Sequence, residues 1–151
     1  MSEQNRDTQP SVDQQRAGHA LAWLKAQKDN DATKNTELKS YLRRMPVMIQ
    51  TNGFGQTVAF YYSKKNASAA YGAIYQLLED WLCKVGPRRV YNDKSEAPIL
   101  LSALTAGSRS DYMQAAAEAR SLLVWAKRFA DALLVETEAD NTGGLTDGTA
   151  T

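Results

Sequence analysis

The sequence predicts an all-α protein of about six helices with disordered polar termini, and three observations lead there. Apolar residues recur at spacings of three and four through most of the chain, which is the period of a helix face. Alternation of β-branched residues is confined to short accidents, and no repeat at solenoid spacing is visible. Polar runs, glycines and prolines divide the periodic stretches from one another.

Ser11, with Gln14 three residues on, offers a capping box for a first helix over about Val12 to Lys28, with Ala17, Leu21 and Leu24 on one face. Asn35 or Thr36 can cap a second helix whose Leu38, Tyr41, Leu42 and Met45 point inward, leaving Lys39 and Arg43 together outside. Pro46 lacks an N–H and disfavours helical geometry at Met45, so it should kink or restart that helix. Asn52-Gly53 stands between flanks of helical period and reads as a helix end and restart, with a third helix running to about Lys65. Tyr71, Ile74, Leu78, Trp81 and Val85 define a fourth helix ended by Gly86-Pro87. Arg88 to Lys94 reads as a basic loop. After it, Ser95 can cap a short fifth helix with Pro98 in its first turn, ending near Gly107. Ser108 and Asp111 open the longest element, in which Tyr112, Ala116, Ala119, Leu123, Ala126, Ala130 and Leu133 keep the spacing almost to Val135.

At 151 residues and 43% hydrophobic content the chain suits one domain, expected over residues 11–135. Residues 1–10 and the acidic tail 136–151 carry no periodic apolar face and are expected to be disordered. No apolar run approaches the ~20 residues that span a bilayer, and Met1 to Pro10 is polar rather than signal-like, so a cytoplasmic location without membrane contact is expected. Cys83 stands alone, which leaves no disulfide or cysteine metal cluster to assemble; a buried structural thiol is expected.

Net charge is near zero but unevenly spread. Between Lys34 and Lys94 ten lysines and arginines face four acids, whereas from Ala132 onward only Glu136, Glu138, Asp140 and Asp147 are charged. A polyanion would be steered to the middle of the chain.

Candidates for catalysis are few. His19 has no second histidine or cysteine to complete a metal site or a Cys/His pair. Glu79 and Asp80 are adjacent, point about 100° apart on a helix, and read as a solvated face. Gly53-x-Gly55 lacks the third glycine of a dinucleotide loop and the Gly-Lys-Ser/Thr of a P-loop, so it reads as a sharp turn with close helix approach. No metal or cofactor is therefore expected. Lys39, Arg43, Arg44, Lys64, Lys65, Arg120, Lys127 and Arg128 could converge on one electropositive surface, and a nucleic-acid surface and a solvated face both remain open. Trp23, Trp81 and Trp125 fit core packing better than base stacking.

Tyr41-Leu42-Arg43-Arg44-Met45-Pro46-Val47-Met48-Ile49, followed by Asn52-Gly53-Phe54-Gly55-Gln56-Thr57-Val58-Ala59-Phe60, resembles the signature of the small helical subunit of type III-B CRISPR effectors, the Cmr complex. That signature has a basic pair, Leu-Pro, then Asn-Gly-Leu-Gly-Gln before Ala-Phe; Met45 and Phe54 stand here for two of its leucines. Ala117 to Ala130 is similar to the family's closing helix, and the likeness covers about Arg16 to Leu134. The resemblance implies a compact bundle of about six helices without nuclease activity. It further implies several copies beside a repeated backbone subunit, supporting the guide–target RNA duplex. Its implied partners are the backbone and large subunits, guide and target RNA, and further copies of itself. Within the matched motifs Lys39, Arg43, Arg44, Lys127 and Arg128 are the candidates for RNA contact, and Lys64 and Lys65 are added to them. The alternative from another class is a helical protein–protein adaptor whose charges only solvate it.

Because neither tail carries an apolar face, removing residues 1–10 and 136–151 should leave a cooperative thermal transition almost unmoved, as followed by circular dichroism.

Overall fold

The computed structural model describes residues 8–30, 33–87 and 89–134, so most of both expected tails lies outside the described residues. Six α-helices fall within them, with no strand among them: α1 (Val12–Lys28), α2 (Asn35–Asn52), α3 (Phe54–Ser63), α4 (Ala69–Glu79), α5 (Ile99–Ala106) and α6 (Arg109–Leu133). The all-α expectation holds.

The capping box of α1 is realised in both directions: Gln14 N–H donates to Ser11 Oγ at 3.1 Å and Ser11 N–H to Gln14 Oε1 at 2.6 Å. The face that α1 buries is centred on Ala20 and Leu24, while the expected Ala17 and Leu21 are half-buried. For α2 the cap differs from expectation: Lys34 is the N-cap, and neither Asn35 nor Thr36 caps with its side chain. Of the two outcomes expected at Pro46, the restart does not occur, since α2 is one helix from Asn35 to Asn52 with Pro46 inside it. Proline costs a helix interior about 3 kcal/mol. Leu38, Leu42, Met45 and Ile49 straddle it, all buried, at roughly 1.5–3 kcal/mol each, which outweighs that cost.

Gly53 has φ 92°, the left-handed region, and reverses the chain between α2 and α3. Two residues on, the Gly55 N–H donates to Tyr112 Oη at 2.8 Å, and a Cβ there would lie 3.2 Å from that oxygen, so the expected close approach is real. Helix α3 ends at Ser63 rather than Lys65. At Asp80 the fourth helix widens into a π-helical turn through Val85, closed by Gly86 N–H to the Trp81 carbonyl at 3.1 Å. The wider turn buries Trp81, Leu82 and Cys83 in succession and leaves Val85, expected inward, exposed.

Helix α5 starts at Ile99 after the cis Ala97–Pro98 bond, and its cap is Pro98, not Ser95. Its Leu100 N–H is satisfied from another helix, by the Glu79 carboxylate at 3.0 Å. In α6 Ser108 Oγ accepts from Asp111 N–H, as expected. Buried Ala115, Ala119, Ala126 and Ala130 let α1 and α2 pack closely on α6, with Leu122 and Leu123 filling the space between. Leu133, expected inward, is exposed.

Leu123 is fully buried, so Leu123→Ala should lower the unfolding free energy by about 2–5 kcal/mol in a urea titration. Trp125 is half-buried, and its replacement by Ala should cost less than Leu123→Ala; the reverse order would mean that α6 does not supply the central stripe.

Candidate nucleic-acid interface

Helix α2 lies between α6 and α4, and its two adjacent arginines, about 100° apart around the axis, turn to opposite sides. Arg43 reaches α6 and pairs with Asp131 at 3.2 Å, both side chains exposed. Arg44 turns to α4 and donates to Tyr71 Oη at 2.5 Å. The seven predicted contact residues therefore divide into two groups rather than one surface.

The α2–α6 group holds Lys39, Arg43, Lys127 and Arg128. Lys39 Nζ donates to the carbonyl of Leu134, the C-cap of α6, at 3.4 Å, where a cation complements the helix dipole. Lys127 and Arg128 line a 330 Å³ groove with Pro46, Leu123, Val124 and Asp131. Val124 and Val47 are exposed, at 49% and 59%.

The second group is built on aromatic rings. Tyr41 and Tyr71 stack at 3.9 Å and 11°, and the Arg44 guanidinium lies 5.2 Å from the Tyr41 ring centre. Phe60 meets Tyr71 edge-on at 5.8 Å, Lys64 Nζ sits 5.7 Å from Phe60, and Lys65 Nζ 3.9 Å from Tyr62. Beneath them Tyr61 donates to the Tyr41 carbonyl, and burial pushes its hydroxyl up to about 12. Burial, and then the hydrogen bond to Glu37, raise the Tyr41 hydroxyl as well. Sequence reasoning missed this set because Tyr41 and Tyr71 lie in the apolar stripes and were counted only as core.

Among the described residues no carboxylate forms an ion pair with Arg44, Lys64, Lys65, Arg120, Lys127 or Arg128. Arg43 pairs with Asp131, and no sequence signal marked that carboxylate as its partner.

The residues considered for catalysis are engaged in packing. Glu79, expected on a solvated face, is buried instead. Its carboxylate accepts from Tyr75 Oη at 2.6 Å and from Leu100 N–H, with Lys84 Nζ at 3.7 Å; burial and then this hydrogen bond push the Tyr75 hydroxyl upward. Asp80 is half-exposed and pairs with Lys84 at 3.4 Å. His19 Nε2 lies 3.3 Å from the Leu77 carbonyl, with its ring 5.0 Å from Trp81, and burial lowers its pKa. Gly53 and Gly55 serve the turn. Trp81 is buried, whereas Trp23 and Trp125 are half-buried and donate to Ala73 carbonyl and Asp13.

The sequence matches, over residues 12–133, the family described as CRISPR-associated protein (Cas_Cmr5). That span includes both motifs and every predicted contact residue. No helix among the described residues is long and apolar enough to cross a membrane.

Cys83 is fully buried, as expected, and burial first, then the neighbouring Glu79 charge, push its thiol up to about 12. A raised value keeps the thiol protonated below that pH, so at pH 8 native protein should resist iodoacetamide while denatured protein is alkylated, as read by mass spectrometry. Rapid labelling of native protein would show that the thiol is reachable.

Proposed function

The chain belongs to the Cas_Cmr5 family, the small subunit of the type III-B CRISPR Cmr complex, and from that membership we propose that it is a non-catalytic subunit that supports guide–target RNA through phosphate contacts. In this reading several copies align beside the backbone subunits in the cytoplasm, with the large subunit and further copies as neighbours. Each copy contributes a few weak contacts that add up by multivalency. The observation that carries the reading is the set of five cations, Arg44, Lys64, Lys65, Lys127 and Arg128, that no described carboxylate neutralises. Cations free of a neighbouring carboxylate can neutralise phosphates and release the counterions condensed on a polyanion, whereas a paired one such as Arg43 contributes less.

The absence of intrinsic nuclease activity is part of the proposal. Glu79 and Glu118 are held by core partners, His19 faces a backbone carbonyl, and Cys83 is buried. None of them is positioned to activate water at the surface.

A helical adaptor is the competing reading, favoured by exposed Val47 and Val124 beside the α2–α6 groove. Charge reversal separates the two. Lys127→Glu with Arg128→Glu, and independently Lys64→Glu with Lys65→Glu, should keep the helical spectrum and weaken target-RNA capture by the reconstituted Cmr complex. The loss should be roughly equal for all target sequences, since phosphates carry no base information. Each lost contact should make the log–log salt dependence shallower by about 0.7 to 0.9. Wild-type affinity and slope in both variants would leave the adaptor as the better reading.

A further inference from the structure

The reversal at Gly53 lays α3 beside α2 and opens a groove of 580 Å³ lined by Met48, Asn52, Gln56, Ala59, Phe60 and Ser63. That volume lies within the range of about 300–1,000 Å³ typical of small-molecule clefts. We propose that this groove binds an unpaired RNA nucleotide, its base stacked on Phe60. The inference rests on the RNA-contact reading above and assigns it a second kind of contact.

Three features of the groove point to a nucleotide. First, Phe60 is half-buried, and its ring is fixed edge-on to Tyr71 at 89° and to Tyr61 at 65°. A π-face held this way can receive any base, and Met48 in the same groove adds a polarizable contact. Second, Asn52 and Gln56 are exposed, and their amides hydrogen-bond no described side chain or backbone group. A carboxamide presents donor and acceptor together, the pattern that pairs with a base edge. Third, the charge around the groove is of one sign. No acid lines it; Arg44 stands one turn before Met48 on α2, and Lys64, the C-cap of α3, one turn after Phe60. Arg44 and Lys64 make no ion pair with a described carboxylate, so both can take the phosphates on either side of a stacked base. An apolar protein segment would fill the Phe60 and Met48 side but would leave two amides and two cations without partners.

The test uses the full chain at low salt with two single-stranded RNAs of equal length: an oligoadenylate, and its counterpart with abasic central positions, which keeps every phosphate. Wild-type protein should prefer the base-bearing strand by about five- to hundredfold. Phe60→Leu, which keeps an apolar side chain in the core contact, should erase the preference while leaving abasic affinity and salt slope unchanged. Asn52→Ala with Gln56→Ala, both exposed, should reduce the preference without touching stability. Equal wild-type affinity for both strands, falling with salt, would overturn the base pocket and leave the phosphate reading standing. Binding of neither strand would overturn the base pocket, while the phosphate reading, which rests on aligned copies, is decided by target-RNA capture in the complex. Variants that keep the base preference but no longer enter the Cmr complex would assign the groove to a protein partner and overturn the proposal.

Discussion

The packing of this bundle depends on one buried ion pair. Glu118, halfway along α6, accepts two guanidinium hydrogen bonds from Arg16 of α1, at 2.6 and 2.9 Å, and the Trp81 indole N–H of the π-helical turn at 2.9 Å. Three elements distant in sequence meet at one carboxylate, and these bonds raise the Arg16 pKa further above its usual value. Separating these two charges would leave both largely desolvated without their main partner, so a slide of α6 along α1 is penalised beyond what apolar packing alone would impose. Register is what the outer surface needs. One helical turn, about 5.4 Å, would carry Val124, Lys127 and Arg128 past Arg43 and Pro46 and dissolve the groove they share.

What could be read in the sequence was what is local. Ser11 with Gln14 and Ser108 with Asp111 cap their helices through residues three apart, and Gly53 reverses the chain because its own φ demands it. What escaped was decided at long range. Pro46 sits in an unbroken helix because buried neighbours on both sides outweigh its local cost, and α5 needs no serine cap because Glu79, twenty-one residues earlier, satisfies Leu100. Glu79 itself looked like one of two solvated acids; only Tyr75 and the start of α5 reveal it as a buried structural carboxylate.

The candidate surface was legible in the same partial way. Every cation was visible in the sequence, and Arg43 and Arg44 could be assigned to different sides from helix geometry. Their neighbours could not. Asp131 of α6 partly neutralises one arginine, while a phenol of α4 holds the other without cancelling its charge. Two adjacent residues of identical chemistry thus reach the surface with different electrostatic weight.

The clamp on Arg44 has a consequence in conformational entropy. A free arginine or lysine loses up to about 1.5–2 kcal/mol of rotamer freedom when it is fixed against a ligand. Arg44, bonded to Tyr71 and lying over Tyr41, has already given up much of that freedom in the folded chain, whereas the exposed Lys64 and Lys65 are held only through ring contacts. In phosphate binding each of these cations would displace counterions alike and count alike in a salt titration. Arg44 would nonetheless contribute more affinity per contact, so the residue that dominates binding strength need not stand out in its ionic-strength dependence.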